Sequence, residues 1–152
     1  MYFREAGKSD IKQIQIVRNS VNENQLSDPA LVTDADCDDF ISVRGKGWIC
    51  EVNNNVVGFA IVDLQENNIW ALFVTPAYAE MGIGKKLHSI MLIWYFKQTQ
   101  ETVWLGTAPN SRAEIFYTKQ GWTKVGMHKN NEVKFEMTFN KWNSLVQEQI
   151  LF

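Results

Sequence analysis

The stretch AEMGIGKKL, residues 79–87, puts Gly82 and Gly84 one residue apart, directly before Lys85, Lys86 and an apolar helical pattern. Two bare backbone positions at the mouth of a helix suit one kind of chemistry. The first N–H groups of a helix have no intrahelical partner, and they sit at the positive end of its dipole. With no side chain in the way, such amides form a nest for an anion, phosphate above all. The two lysines add positive charge nearby. The bland alternative is a tight strand-to-helix turn, which explains one glycine better than two. The spacing fits neither the Walker phosphate loop nor the dinucleotide fingerprint, whose third glycine position is Leu87 here. No metal chemistry is expected. His88 and His128 are isolated, and Cys37 and Cys50 lack ligand neighbours, so both read as reduced thiols.

The elements that must position this turn follow a legible order. YFREA reads as a first strand. Ser9-Asp10 offers a helix cap, followed by a stripe of Ile11, Ile14 and Val17 with Arg18. A polar segment with Pro29 leads to a second helix, with Thr33 as its cap and Gly45 and Gly47 as its end. WICEV, an Asn-rich turn and VVGFAIVDL make a hairpin, and IWALFV extends it into an antiparallel meander. Beyond the glycines, Ile83, Leu87, Ile90, Met91 and Trp94 fall on one helical face. A strand at TVWLGT, a short helix at NSRAEIFYTKQG capped by Asn110 or Ser111, and two closing strands complete the chain. The expectation is a mixed α/β (α+β) fold. It has one mixed, mostly antiparallel central sheet of about seven strands, flanked by about four helices.

Composition sets outer bounds. The 152 residues suit a single domain, 1–152, and 45% hydrophobic content is ample for a core. A net charge of −2 leaves no basic field to draw nucleic acid or anionic lipid, so neither is expected as a partner. The charged N-terminus is not a signal peptide, and the longest apolar run, SIMLIWYF, is too short to span a membrane. A cytoplasmic monomer or homodimer is the resulting expectation.

VTPAYAEMGIGKKLHSIML is similar to the central motif of the GNAT superfamily of N-acetyltransferases, a strand ending V-x-P-x-Y, then Gln/Arg-x-x-Gly-x-Gly/Ala, then a helix. APNSRAEIFYTKQGW resembles the same family's N-x-x-A-x-x-F-Y-x-x-x-G-F helix. The element order agrees from about Tyr2 to Phe139. The resemblance implies that the amides of Met81, Gly82, Ile83, Gly84 and Lys85 hold the pyrophosphate of acetyl-coenzyme A, the acyl donor. It implies that the backbone at Phe73 and Val74 pairs with the pantetheine amides like an added half-strand. Two departures stand out. Ala79 replaces the Gln or Arg, and Glu80 stands where many members have a further glycine, which implies a weaker clamp.

The resemblance further implies that Tyr117 is the general acid for the departing thiolate, since a phenol is protonated at neutral pH. The alternative is that Tyr117 only packs its ring. Asn110 is expected to cap its helix and to lie near the pantetheine arm. For the general base the sequence offers no clear residue. Many relatives carry a glutamate where this chain has Trp70, which lines the acceptor pocket or belongs to the core. Asp63, Glu66 and Glu23 are the carboxylates nearest the expected cleft. The acceptor segment between the first two helices carries Glu23, Asp28, Asp34, Asp36, Asp38 and Asp39 against Arg18 alone. These acids are either a solvated helix start or an attraction for a cationic amine. The implied activity is acetyl transfer from acetyl-coenzyme A to a primary amine of a small molecule or protein. A coenzyme A-binding sensor or interaction module without turnover is the alternative, favoured by Ala79, Glu80 and Trp70 and opposed by Tyr117. A purely structural role for the glycines is the third reading.

Overall fold

A computed structural model describes residues 1–21 and 32–151. It is a mixed α/β fold with one seven-stranded, mostly antiparallel sheet and, among the described residues, five α-helices. The chain divides into two compact units, Met1–Tyr95 and Phe96–Phe152.

In the first unit, β1 (Tyr2–Glu5), β2 (Gly45–Val52), β3 (Asn55–Asp63) and β4 (Asn68–Val74) pair in order, each antiparallel to the next. The β2–β3 turn is the expected tight one. Asn53 and Asn54 have φ of 51° and 66°, the left-handed pair that matches strand twist and that asparagine tolerates well. β3 is buried along nearly its whole length, which accounts for its near-continuous apolar run. Helix α1 (Ile11–Ser20) turns Ile11, Ile14 and Val17 into a core shared with Ile49, Phe59 and Ile61. Helix α2 (Asp34–Asp39) starts at Thr33, whose side-chain oxygen accepts from the Asp36 N–H. Helix α3 (Ile83–Gln98) buries Ile83, Leu87 and Met91, while Ile90 and Trp94 are half-buried.

The second helical run ends at Gly45 as expected: Gly45 is the C-cap of a π-helical turn over Phe40–Arg44, while Gly47 lies two residues on within β2. A β-carbon at Gly45 would lie 1.8 Å from the Val62 carbonyl oxygen, so this glycine also serves close strand approach. One local expectation changes. Asp10 does not cap α1 through its side chain. Its carboxylate instead accepts from the Gly7 N–H at 2.8 Å and from both terminal nitrogens of Arg4 at 2.8 and 2.9 Å. Arg4 also donates to Glu51, tying β1 and β2 to the start of α1.

The Arg4 hydrogen bonds hold the buried Asp10 carboxyl below the usual carboxylate range. A depressed folded pKa stabilises the protein above the unfolded value and is lost as pH falls through the folded one. Asp10→Asn should therefore melt well below wild type at pH 7. The gap should close as both are acidified through the lowered folded-state pKa of Asp10, below which the wild-type carboxyl is also protonated. A gap that stays constant in acid would show the ion pair to be irrelevant.

In the second unit, β5 (Val103–Thr107), β6 (Thr123–His128) and β7 (Glu132–Met137) lie in the order β5-β7-β6, both pairings antiparallel. Helix α4 (Arg112–Lys119) connects β5 to β6. Helix α5 (Phe139–Leu151) follows β7 and was not expected. Phe96 stacks with Trp142 at 6.4 Å between ring centroids and tilts against Phe139 at 5.8 Å. Among the described residues no helix is long and apolar enough to cross a membrane. Cys37 and Cys50 are unbridged and buried. Among the described residues no cluster of potential metal ligands occurs.

Candidate active site

The glycine turn leaves β4 at Val74, passes through a short 3-10 turn at Pro76–Tyr78, and enters α3 at Ile83. Thr75 N–H bonds Val57 O at 2.8 Å, so β3 still holds the chain one residue past β4. The N–H of Lys86 reaches back to Gly82 O at 3.1 Å. The amides of Ile83, Gly84 and Lys85 therefore precede the first intrahelical bond, as a helix start requires. Gly82 has φ of +83°, which L side chains rarely adopt, and a β-carbon built there meets nothing within 4 Å. Met81, Gly82, Lys85 and Lys86 are exposed and Gly84 is half-buried. The turn is thus open to a ligand, and its unpaired amides at the positive helix end fit an anion such as a pyrophosphate.

Gly58 on β3 explains how the turn is held. A β-carbon there would meet Ile83 Cγ2 at 3.1 Å and Leu87 Cδ1 at 3.3 Å, so its absence lets the first turn of α3 press onto the strand. Glu80 has φ of 63°. The position keeps a glycine-like backbone although a glutamate occupies it. Lys86 is not aimed solely at a ligand, because its ammonium lies 5.0 Å from the Phe3 ring centre.

Trp70 occupies an irregularity in the β3–β4 register, which passes from Ile61↔Ala71 to Val62↔Ile69 and skips it. A bulge of this kind re-aims a side chain. Its ring lies flat on Phe40, with centroids 4.0 Å apart and planes 6° apart, and the Arg18 guanidinium lies 4.6 Å from its centre. Phe73 tilts against Phe59 at 5.6 Å, and Arg18 is 5.3 Å from its ring centre. Phe73 and Val74 pair through β4 with Phe59 and Gly58 of β3.

The carboxylates divide differently from one another. Asp63 is buried and gripped by Arg44, Nε to Oδ1 at 3.3 Å and Nη2 to Oδ2 at 2.7 Å, and also accepts from Gln65 N–H. That is a structural ion pair and a poor candidate for a base. Asp36 completes the α2 capping box by accepting from Thr33 N–H at 2.9 Å. Asp34 sits in the same first turn and accepts from Gln15 Nε2 at 3.4 Å. Glu23 and Asp28 lie outside the described residues.

In the second unit Tyr117 is 6% exposed. Its ring meets Phe116 and Trp122 edge-on at 5.2 and 5.5 Å and Phe135 at 6.1 Å. Burial pushes its phenol pKa up, so the hydroxyl stays protonated. Ser111, not Asn110, caps α4: its oxygen accepts from Glu114 N–H at 3.2 Å. Asn110 precedes the cap at φ 59°, and its N–H donates to Glu114 Oε2 at 2.8 Å. Serine wins because the left-handed backbone at Asn110 is not the extended conformation a cap needs.

Comparison with known proteins bears on the family and the fold. The family model for the acetyltransferase (GNAT) family matches residues 10–122. The chain belongs to the GNAT family of acetyltransferases. A [ribosomal protein bS18]-alanine N-acetyltransferase of Haemophilus influenzae is 30% identical over 80 residues, which are 51% of this chain and 55% of that protein. The chain thus aligns with about half the length of this curated relative. The PaiA N-acetyltransferase of Thermoplasma acidophilum, solved in complex with coenzyme A, has a TM-score of 0.78 at 15% identity, covering 90% of this chain and 98% of that one. The ribosomal-protein-S18-alanine N-acetyltransferase of Escherichia coli has a TM-score of 0.69 at 15% identity, covering 90% of each chain. At these identities the two structures speak to fold.

Proposed function

We propose that the protein transfers an acetyl group from acetyl-coenzyme A to a primary amine of a small molecule or protein. The observation that carries this reading is the open turn at Gly82, with the unpaired amides of Ile83, Gly84 and Lys85 behind it. Met81, Gly82, Ile83, Gly84 and Lys85 would hold the pyrophosphate, and the backbone of Phe73 and Val74 would line up the pantetheine arm, with Asn110 near it. Acetyl-coenzyme A, when bound, supplies the activated thioester. A neutral amine attacks the thioester carbon, the N–C bond forms, and the C–S bond breaks. Tyr117 would give its proton to the departing sulfur and regain one from solvent, which takes the proton shed by the amine. Trp70 would border the acceptor. Glu23, Asp34 and Asp36 would contribute at most a field favouring a cationic amine, Asp36 being already engaged at the start of α2.

The test is thiol release from acetyl-coenzyme A over a panel of amines, with titration of coenzyme A alone beside it. Release with at least one amine supports the reading. Tight coenzyme A binding without release from any amine would turn the assignment to a binding module. No binding would remove the cradle.

Glu80 provides a further check. Its left-handed backbone costs about 1 kcal/mol in a side-chain-bearing residue, and its charge stands two residues before Gly82, beside the expected pyrophosphate site. Glu80→Gly should raise the melting temperature slightly and tighten coenzyme A binding several-fold. An affinity no better than wild type would mean that the carboxylate points away from the phosphates.

A further inference from the structure

Arg18 is 7% exposed, yet its Nε and Nη2 atoms are buried with no hydrogen-bond partner among the described residues. A buried guanidinium is costly unless an anion and hydrogen bonds compensate it. What surrounds it is aromatic: the ring centres of Trp70, Phe73 and Phe59 lie 4.6, 5.3 and 5.7 Å from Cζ. Ring faces stabilise a cation but accept no fork of N–H bonds. Burial accordingly weakens its hold on its proton.

The two orphaned nitrogens form one edge of the guanidinium. Two other arginines in this protein use the same edge for a carboxylate. Arg4 turns Nε and Nη2 to Glu51 at 3.1 and 2.6 Å. Arg44 turns Nε and Nη2 to Asp63 at 3.3 and 2.7 Å. Arg18 presents that fork with no partner among the described residues.

A second set of atoms stands beside it on α1. Gln15 Oε1 and Asn19 Oδ1, three residues before and one after, are also buried without a hydrogen-bond partner among the described residues. Gln15 is oriented by its own amide nitrogen, which donates to Val32 O at 2.7 Å, so its oxygen is left as the unmet acceptor. Residues 15, 18 and 19 share one side of a helix. An unfilled carboxylate fork next to unfilled acceptors is complementary to a ligand with both an acid and N–H groups.

We infer that Arg18 determines acceptor specificity by holding the carboxylate of the amine substrate through Nε and Nη2, which makes the acceptor an amino acid or a close derivative of one. The inference rests on the acetyltransferase reading and names its substrate class. Gln15 Oε1 and Asn19 Oδ1 receive N–H groups of the same molecule.

The binding test uses products rather than turnover. N-acetyl-L-amino acids are compared one by one with their neutral N-acetyl-L-amino acid amides, by thermal shift and then titration, in the presence of coenzyme A. For at least one side chain the acid should bind about tenfold or more tightly than its amide, as charge-assisted paired bonds imply. Arg18→Met should abolish that preference, and Arg18→Lys should keep only part of it, having the charge without the fork. Equal binding of acid and amide throughout the series in wild type would overturn the inference, as would a preference that survives in folded Arg18→Met. If Arg18→Met does not fold, the wild-type comparison and Arg18→Lys decide. Failure of the acetyltransferase reading looks different: no amine, with or without a carboxylate, would release thiol.

Discussion

Tyr117→Phe is expected to lower kcat by roughly 10²–10⁴-fold, the usual contribution of a positioned general acid. The substitution deletes one oxygen and keeps the ring that packs against Phe116, Trp122 and Phe135. Coenzyme A affinity should change by less than about 1 kcal/mol, the net worth of an ordinary hydrogen bond. The pH profile adds a second handle. Burial raises the phenol pKa above its ordinary value of about 10, so the acid stays loaded and no alkaline loss of rate should come from Tyr117 below that pH. Turnover at the wild-type rate, with the chemical step shown to limit, would leave Tyr117 as packing alone.

Gly84→Val should weaken coenzyme A binding at least tenfold, about 1.4 kcal/mol, in a protein that still folds. Gly84 is the better position to test than Gly82. It lies inside α3, whose backbone accepts any L residue, whereas Gly82 sits at φ +83° and any side chain there adds strain. A loss at Gly84 therefore reports blocked approach of the ligand. Unchanged affinity in a folded Gly84→Val protein would remove the phosphate cradle.

Much of this fold is written locally. Two adjacent asparagines that tolerate the left-handed region mark the β2–β3 turn, and the spacing of Ile83, Leu87 and Met91 marks the buried side of α3. The glycine turn was legible for the same reason: its chemistry is backbone chemistry, set by neighbours in sequence. Helix α5 was missed although Trp142 and Leu145 carry a helical spacing, because the family likeness ends near Phe139. Gly45 was read only as a helix end, because a glycine looks the same whether or not it also admits a carbonyl from another strand. The surroundings of Arg18 were out of reach. Phe59, Trp70 and Phe73 come from two strands, and Trp70 is turned by a register skip that no local pattern announces. The left-handed backbone at Glu80 was hinted at only by what relatives place there.

The buried cysteines have a practical consequence. Cys37 and Cys50 are the chain's two thiols, both have 0% exposure, and burial raises both pKa values, which disfavours the reactive thiolate. A colorimetric thiol reagent added to the native protein should therefore give almost no background, and its signal in a transfer assay should count free coenzyme A alone. In denaturant the same reagent should titrate two equivalents per chain, an internal standard for protein concentration. Slow appearance of those two equivalents under native conditions would time how often the core around β2 and α2 opens.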